Sequence, residues 1–241
     1  MSAPSSLGEV SASAALQPPA DYALRAFHDA SSVPSSRRRD LTAALNRIIA
    51  TNWHVTEPHW TEASSPFRQD FGVILAEAGN SLVAFSVYRR LLLDGVPTVY
   101  RCGTEVLPPH QGRGLYGVFT RAILEQMRRA HGAHADRIRY SWRTRNPIVW
   151  AANAKLCDKV VPSLLDDAPD PALQAACLEL AAILYPDKPL EAPAMIMRGA
   201  YGHITHRPQL YHGMASLVAA AMERLIPNSA DAVLSLGTVR L

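Results

Sequence analysis

The glycines of one short loop, GRGLYG, could hold a phosphate-bearing ligand, because Gly112, Gly114 and Gly117 match the pattern G-x-G-x-x-G. Glycines at the start of a helix let backbone N–H groups turn toward a pyrophosphate, and the helix dipole favours its negative charge. Arg113 could add a charge-assisted hydrogen bond to a phosphate. The loop alone leaves three alternatives open, namely a dinucleotide such as NADP, another phosphate-bearing ligand, and a plain helix-capping turn.

The surroundings of the loop fit a dinucleotide site poorly. Such a site requires the first glycine to follow a buried parallel strand directly. Here two prolines, a histidine and a glutamine precede Gly112, and the segments upstream have the pattern of hairpins. The strand after the loop ends near Arg143 and Arg145, which could read a 2′-phosphate. An NADP-binding oxidoreductase therefore stays an alternative, whereas a nucleoside-triphosphate loop has no matching sequence.

The residues before the loop match another template, V-x-P-x-x-Q-G-x-G, at Val106, Pro108, Gln111, Gly112 and Gly114. This stretch resembles the coenzyme A loop of the GNAT superfamily, the Gcn5-related N-acetyltransferases, whose core signature is Q/R-x-x-G-x-G/A. Tyr116 departs from the signature, because it occupies the last, small position. The order of predicted elements from about residue 71 to 161 is also similar to that of the family, and Asn146 matches the family's asparagine after the fifth strand.

The resemblance implies an α/β (α+β) fold, with a mixed, mostly antiparallel central sheet flanked by helices. It also implies acetyl-CoA, or another acyl-CoA, as the acyl donor for transfer to the amine of a small molecule. The alternative within the same fold is a protein that binds coenzyme A or an acyl carrier without transferring acetyl groups, or that uses the thioester in other biosynthetic chemistry. The cofactor-binding residues that the resemblance implies are Val106, Leu107, Gln111, Gly112, Arg113, Gly114, Leu115, Tyr116 and Asn146.

Glu105 is the candidate general base. In the family, a bulge in the fourth strand exposes backbone amides to the thioester, and Val106 and Leu107 occupy that place here. A carboxylate beside it, in a half-buried cleft, can have its pKa raised toward neutrality. The alternative for Glu105 is a structural ion pair, with Arg101 or Arg143.

The general acid is less clear from the sequence. The family often has a tyrosine on the helix after Asn146, and this chain has none there. The polar residues of that segment are Trp150, Asn153 and Cys157. The tyrosines that could substitute from other elements are Tyr140, Tyr201 and Tyr211.

The acceptor pocket of such folds is formed by the first helices and the loop after them. His54, Glu57, His59 and Trp60 fall in that loop, and His54, Glu57 and Trp60 are the candidate substrate-binding residues. Aromatic and acidic groups suit a cationic amine or an aromatic substrate. A surface loop anchored by a buried tryptophan is the alternative. A second histidine-rich stretch contains His203, His206 and His212, but no acid or cysteine stands at ligand spacing, so no metal is expected.

The elements around these residues follow from hydrophobic periodicity and turn signals. FGVILAEA, SLVAFSVYRRLLL and VPTVYRCGTEVL predict strands joined by hairpin turns at Gly79-Asn80 and Asp94-Gly95. VFTRAILEQMRRAH predicts a helix, RIRYSW a strand, and IVWAANAKLCDKVV a helix ended by Pro162. Further on, ALQAACLELAAILY and MASLVAAAMERLI predict helices, and PAMIMRGAYG and DAVLSLGTVRL predict strands.

The domain organisation follows from composition. Residues 1–36 are rich in Ser, Ala and Pro and predict an N-terminal arm, and residues 37–241 predict one GNAT-like domain with an elaborated C-terminal segment. Within that domain, Asp40 is the expected N-cap of the first helix. The 241 residues, 48% of them hydrophobic, suit one domain with a real core.

Charge and cysteine content exclude several partners. No apolar run reaches the ~18 residues that a membrane span needs, so no membrane association is expected. The net charge of +3 is too small to indicate nucleic-acid binding. Three cysteines without a C-x-x-C pair favour a reducing, cytoplasmic location. A homodimer stays an open alternative.

Overall fold

One mixed sheet, strongly biased toward antiparallel pairing, organises the chain. In the computed structural model, residues 19–165, 170–201, 204–206 (backbone only) and 212–241 are described. The helices are α1 (Ser35–Asn52), α2 (Leu115–His131), α3 (Pro147–Ala154), α4 (Pro171–Leu184) and α5 (Met214–Leu225). The strands are β1 (Ala23–Phe27), β2 (Trp53–Val55), β3 (Phe71–Ala78), β4 (Ser81–Leu93), β5 (Val96–Val106), β6 (Arg137–Thr144), β7 (Lys159–Val161), β8 (Leu190–Glu191), β9 (Ile196–Met197), β10 (Ile204–His206) and β11 (Ala232–Arg240).

The order of strands in the main sheet is β1-β3-β4-β5-β6-β11-β9-β8, and β7 also pairs with β11. Neighbours are antiparallel, with one exception in the described part of the chain, since β5 and β6 run parallel. A parallel pair needs a crossover, and α2 supplies it. The fold class expected from the sequence, mixed α/β with a mostly antiparallel sheet, is therefore confirmed.

Helices cover both faces of the sheet. On one face, α2, α3 and α5 pack through a core that includes Phe119, Trp150 and Met222. On the other face, α1 packs through Leu45 and its neighbours, and α4 packs through a separate cluster around Cys177 and Leu180. None of the helices in the described ranges is long and apolar enough to cross a bilayer.

The two hairpin turns predicted from glycine-containing pairs are present. Asp94 and Gly95 both have positive φ, 50° and 73°, which is the backbone of a type I′ turn between β4 and β5. Gly79 has φ of 59° at the turn between β3 and β4. The local chemistry of these turns sets the strand register that carries the site.

The N-terminal region differs from the predicted arm. Residues 1–18 lie outside the described residues, but Ala23–Phe27 form β1, which pairs with β3 at the edge of the main sheet. The boundary drawn at residue 36 falls inside α1, which begins at Ser35 after Pro34, and not at Asp40. The helix extends through the three arginines because Arg38 donates hydrogen bonds to the carbonyls of Val33 and Ser31 and ties the first turn down.

Two C-terminal predictions also need correction. The predicted helix ending at Pro162 stops at Ala154, and Lys159–Val161 pair with β11 instead, because Gly237 lets the two backbones approach closely. The predicted strand PAMIMRGAYG is a strand only at Ile196–Met197. Met195 and Gly199 on either side have positive φ, 52° and 59°, which turns the chain out of extended conformation.

Gly72 is a close-packing position in β3. A Cβ built there would overlap the ring of the buried Tyr88, whose hydroxyl is 2.6 Å from His28 Nδ1. We expect Gly72→Ala to lower the free energy of unfolding by about 1–3 kcal/mol, because the ring must move within a packed core. Urea denaturation measures the change. Gly103→Ala is the control, since a Cβ at that strand position meets nothing within 4 Å. Equal midpoints for the two variants would contradict the prediction.

Candidate active site

The site lies where two neighbouring strands separate. Parallel pairing of β5 with β6 runs from Thr98 to Arg101, and β5 then continues to Val106 without β6 beside it. The register of β5 on β4 shifts at the same place, because Cys102 is an extra residue between Arg101 and Gly103. The separation leaves a cavity of about 670 Å³. Its walls come from the ends of α1, β5, β6, α2 and α3 and from the loop before α2.

The glycine loop forms one end of this cavity. Gly112 and Gly114 have φ of 74° and 79°, and Gly114 is the N-cap of α2 without a side-chain capping bond. The first bond of the helix runs from the Val118 amide to the Gly114 carbonyl, so the amides of the preceding turn have no helical partner. A Cβ at Gly112 or Gly114 would meet no protein atom within 4 Å, so the space beside the loop is open. Free amides beside open space at a helix N-terminus suit a pyrophosphate.

The residues just before the loop have different roles from those expected. The Leu107 amide donates to the Val83 carbonyl on β4, at 2.9 Å, so it is not exposed to the cavity. Because successive amides of a strand point in opposite directions, the Val106 amide faces the gap left by β6. The Val106 carbonyl accepts hydrogen bonds from Gln111 Nε2 and Asn52 Nδ2. The expectation of an exposed amide thus fails at Leu107, which pairs with β4, and Gln111 braces the loop on β5.

The remaining residues of the predicted cofactor set also differ in position relative to the cavity. Arg113 is exposed and does not line the cavity, whereas Leu115 lines it and packs with the core behind the loop. Asn146 lines the cavity and caps α3, because its Oδ1 accepts a hydrogen bond from the Ile148 amide at 2.9 Å. Asn146 is thereby held at the mouth of the gap between the strands.

Glu105 is placed as a base would be. Its carboxylate lines the cavity and accepts hydrogen bonds from Asn52 Nδ2 at 2.7 Å and from Trp53 Nε1 at 2.9 Å. Burial raises the pKa of Glu105 to about 7, against the opposing effect of these two donors. Within the described residues it forms no ion pair, so the alternative of a structural bridge to Arg101 or Arg143 is wrong. A carboxyl group that titrates near neutrality can accept a proton at physiological pH.

The Trp53 hydrogen bond favours the ionised form of Glu105. We expect Trp53→Phe to raise the pKa of Glu105 further, by roughly one unit, because a donor to the carboxylate is lost. A carboxyl ¹³C NMR titration measures this pKa without any substrate. Trp60→Phe is the matched control, since Trp60 also lines the cavity but its Nε1 makes no hydrogen bond within the described residues. An unchanged or lowered pKa in Trp53→Phe would refute this role.

Tyr116, the departure from the expected loop signature, turns inward. Its ring lies under the Arg101 guanidinium, 4.3 Å from Cζ to the ring centroid, and its hydroxyl donates to Asn153 Oδ1 at 2.9 Å. The side chain therefore leaves the open side of the loop free. It also brings a hydroxyl to Asn153 on α3. This is the helix on which the family often has a tyrosine and this chain has none.

The other groups considered as a proton donor are less suited. Burial raises the pKa of Cys157 to about 12, so this thiol is inert near neutrality. The hydroxyl of the buried Tyr140 accepts a hydrogen bond from Arg101, and Trp150 Nε1 donates to Ser235 inside the core. Tyr201 lines the cavity on the opposite side from Tyr116, and Tyr211 lies outside the described residues.

The side of the cavity where the sequence predicts acceptor binding, called the acceptor side below, is built from residues that the sequence indicated only in part. Trp60 is buried and lines the cavity together with His59, whereas His54 and Glu57 are exposed and do not line it. His54 lies in β2, where the side chains alternate, so its neighbour Trp53 takes the inward position instead. Asn52, Trp53 and Tyr201, which line this side, were not expected from the sequence. The Trp53 and Tyr201 rings are 5.6 Å apart.

The histidine-rich stretch reaches the same region through its backbone. Ile204–His206 form β10, which pairs with β2, so the C-terminal segment lies beside the acceptor side of the cavity. His212 is exposed, and His203 lies outside the described residues. No group of metal-binding side chains occurs within the described ranges.

Several buried polar atoms on the cavity wall have no hydrogen-bond partner in the described part of the chain. They are Asn52 Oδ1, Trp60 Nε1, Trp142 Nε1 and Asn153 Nδ2. An unpaired buried polar group costs free energy comparable to a lost hydrogen bond. These atoms therefore favour a ligand with polar groups of its own.

Comparisons with known proteins give a fold likeness at low identity. No family model matches the sequence, and a search of curated proteins finds no match. Among solved structures, the ribosomal-protein-S18-alanine N-acetyltransferase from Escherichia coli is 12% identical with a TM-score of 0.47, over 91% of this chain and 95% of that one. The IAA acetyltransferase from Bacillus cereus is 11% identical with a TM-score of 0.40, over 90% of this chain and 99% of that one.

A third neighbour was solved with a ligand. Arabidopsis thaliana Naa50, in complex with the bisubstrate analogue CoA-Ac-MVNAL, is 15% identical with a TM-score of 0.39, over 61% of this chain and 91% of that one. These neighbours are GNAT acetyltransferases, the superfamily whose coenzyme A loop the sequence resembles. At such identities and TM-scores the likeness extends to the general chain path alone.

Proposed function

We propose that this protein is an acyl-CoA-dependent N-acyltransferase, most simply an N-acetyltransferase, that acts on the amine of a small molecule. The observation that carries the proposal is the position of Glu105. Its carboxyl group, with a pKa of about 7, lines the same cavity as the open amide loop at Gly112 and Gly114. A base and an anion-binding loop in one cavity are what amine acylation by a phosphorylated donor requires.

The donor side is supported by the fit of the loop. The turn from Gly112 to Tyr116 offers amides without helical partners, and the space beside it is free of protein atoms. When bound there, coenzyme A supplies the activated acyl group as a thioester. The amide of Val106 faces the gap between the strands, where it can donate a hydrogen bond to the thioester carbonyl and stabilise developing negative charge.

The acceptor side supplies the base. The ammonium group of a substrate loses its proton to Glu105, so the neutral amine can attack the carbonyl carbon. The new C–N bond forms as the C–S bond breaks, and the nitrogen then loses a second proton to solvent, which leaves a neutral amide. The hydrogen bonds from Asn52 and Trp53 hold the carboxylate at one place throughout.

The departing thiolate needs a proton, and we assign this role to Tyr116. Its hydroxyl is held by Asn153 on the side of the cavity that carries the glycine loop. The Arg101 guanidinium stacks on the Tyr116 ring and so holds the ring in one orientation. In this role the O–H bond of Tyr116 breaks as the S–H bond of CoA forms.

Two alternatives are separated by direct measurement. Calorimetric titration with CoA and with NADPH distinguishes an acyl-CoA site from an oxidoreductase; we expect CoA alone to bind. The segment between β5 and the loop supports this, because a dinucleotide loop follows its parallel strand directly, whereas residues 107–111 separate β5 from Gly112 here. Thiol release from acetyl-CoA in the presence of an amine panel then distinguishes an enzyme from a binding protein. Tight CoA binding with no thiol release from any acyl-CoA would overturn the transferase proposal.

A further inference from the structure

Arg143 is a cation on the acceptor side of the cavity, and no carboxylate pairs with it in the described ranges. Its Cζ lies 4.9 Å from the Tyr185 ring centroid and 5.2 Å from that of Tyr201. Its Nη1 is 3.9 Å from Met197 Sδ, and it belongs to none of the ion pairs among these residues. A guanidinium stays charged in such surroundings, and a half-buried charge without a partner is costly. Arg143 therefore lacks the anion that its position calls for.

Arg101, the other arginine on the cavity wall, is a weaker candidate for this anion. It lies on the face of the sheet that carries α2, where it stacks on the Tyr116 ring and donates to Thr120. Its guanidinium already donates to the hydroxyls of Ser86, Thr104, Thr120 and Tyr140. Arg143, by contrast, has one hydrogen bond with the Tyr185 side chain, and its other neighbours are aromatic ring faces and the Met197 thioether, which accept hydrogen bonds weakly.

A continuous set of contacts connects Arg143 to the base. The Tyr201 ring lies beside Arg143 and 5.6 Å from the Trp53 ring, and Trp53 Nε1 donates to Glu105 Oε1. Arg143 and Glu105 thus face the same part of the cavity from β6 and β5, the two strands that separate around it. One end of this region is positive, and the other holds a carboxyl group that titrates near neutrality. A molecule with an ammonium group and a carboxylate matches both ends.

We propose that the acceptor is an amino acid, with Arg143 binding its carboxylate while Glu105 receives the proton of its amine. This inference rests on the proposed acyl transfer. The fork of a guanidinium matches a planar carboxylate with two parallel hydrogen bonds, so Arg143 also orients the amine. The aromatic rings of Trp53, Trp60 and Tyr201 then surround an apolar side chain of the amino acid.

Binding of matched acids and amides tests the proposal without turnover. The probes are N-acetylphenylalanine, N-acetylleucine and N-acetylglycine, each compared with its C-terminal amide by calorimetry in the presence of CoA. We expect at least one acid to bind about tenfold or more tightly than its amide, because the amide lacks the charge that Arg143 pairs with. Arg143→Gln should remove this preference, and Arg143→Lys should keep part of it. Arg139→Gln on the same strand is the control, since Arg139 donates to the Leu93 carbonyl and does not line the cavity.

Each outcome of these measurements either supports or overturns the amino acid acceptor. Equal affinity for acid and amide in every pair, including no binding by any acid, overturns the proposal. A preference that survives Arg143→Gln overturns it as well, and if that variant does not fold, the wild-type comparison and Arg143→Lys still decide. Efficient acetylation of amines that lack a carboxylate, with no gain from adding one, would refute the amino acid acceptor and leave acyl transfer intact. An acid preference without thiol release from any acyl-CoA would instead refute acyl transfer and leave the anion site.

Discussion

Glu105→Gln is expected to slow turnover by roughly 10²-fold and to leave CoA binding unchanged. The glutamine amide keeps the shape of the side chain but cannot accept the proton of the substrate ammonium. CoA binding should persist because the glycine loop lies at the other end of the cavity. The measurement pairs the rate of thiol release from acetyl-CoA, with the best amine of a panel, with calorimetric titration of CoA. Glu125→Gln is the control, since Glu125 lies far along α2 and pairs with Arg128 and Arg129.

The pH dependence gives a second test of the same residue. A base acts only when it is deprotonated, so the wild-type rate should rise with pH through about 7, the pKa of Glu105, and then level off. In Glu105→Gln the remaining rate should not follow that titration. Unchanged turnover in Glu105→Gln would mean that another group is the base, such as His59, which also lines the cavity.

The thermal stability of Glu105→Gln shows whether a lower rate comes from the loss of the base or from a disturbed fold. Burial raises the pKa of Glu105 from 4.5 to about 7, so ionising this group opposes folding. The stabilising contribution of protonated Glu105 is fully present below 4.5, its pKa in the unfolded chain. That contribution is lost as the pH rises through about 7, its pKa in the folded protein. Glu105→Gln avoids that loss, so its Tm at pH 8 should equal or exceed that of the wild type. A large fall in Tm at pH 8 would show that the glutamine disturbs the fold.

The loop and its strand could be predicted because their chemistry is local. Two glycines that need positive φ, a proline that starts the turn and a glutamine that braces it lie within seven residues. The paired turns at Gly79 and Asp94-Gly95 are equally local, and they fix the register that puts Glu105 opposite Phe85. Hydrophobic alternation then decides which face of each strand is buried.

The acceptor side could not be predicted, because it depends on contacts between distant segments. Trp53 and Glu105 are 52 residues apart, and Tyr201 reaches the cavity only because the segment after it pairs with β2. His54 and Glu57 have suitable chemistry, yet the direction of a short strand and a turn places them in solvent. The edge strand β1 could not be predicted for a related reason, since its pairing with β3 is set by register and not by composition.

Gly114→Glu is expected to weaken CoA binding at least about 100-fold, which corresponds to ~3 kcal/mol. Gly114 is the N-cap of α2, and the space beyond its Cα is free of protein atoms and open to the cavity. A glutamate there fills the place of the pyrophosphate and sets a negative charge against it. Calorimetric titration of CoA measures the loss, and a folded variant is confirmed by thermal unfolding.

Backbone strain is the competing explanation, because glutamate tolerates the φ of 79° at Gly114 poorly. Gly95→Glu separates the two causes, since Gly95 has φ of 73° and equally free surroundings but lies in a hairpin turn that does not line the cavity. The two variants should lose similar stability, and Gly114→Glu alone should lose CoA binding. Comparable CoA affinity in both would mean that the open amides before α2 do not hold the pyrophosphate, and the donor site would then have to lie elsewhere along the cavity.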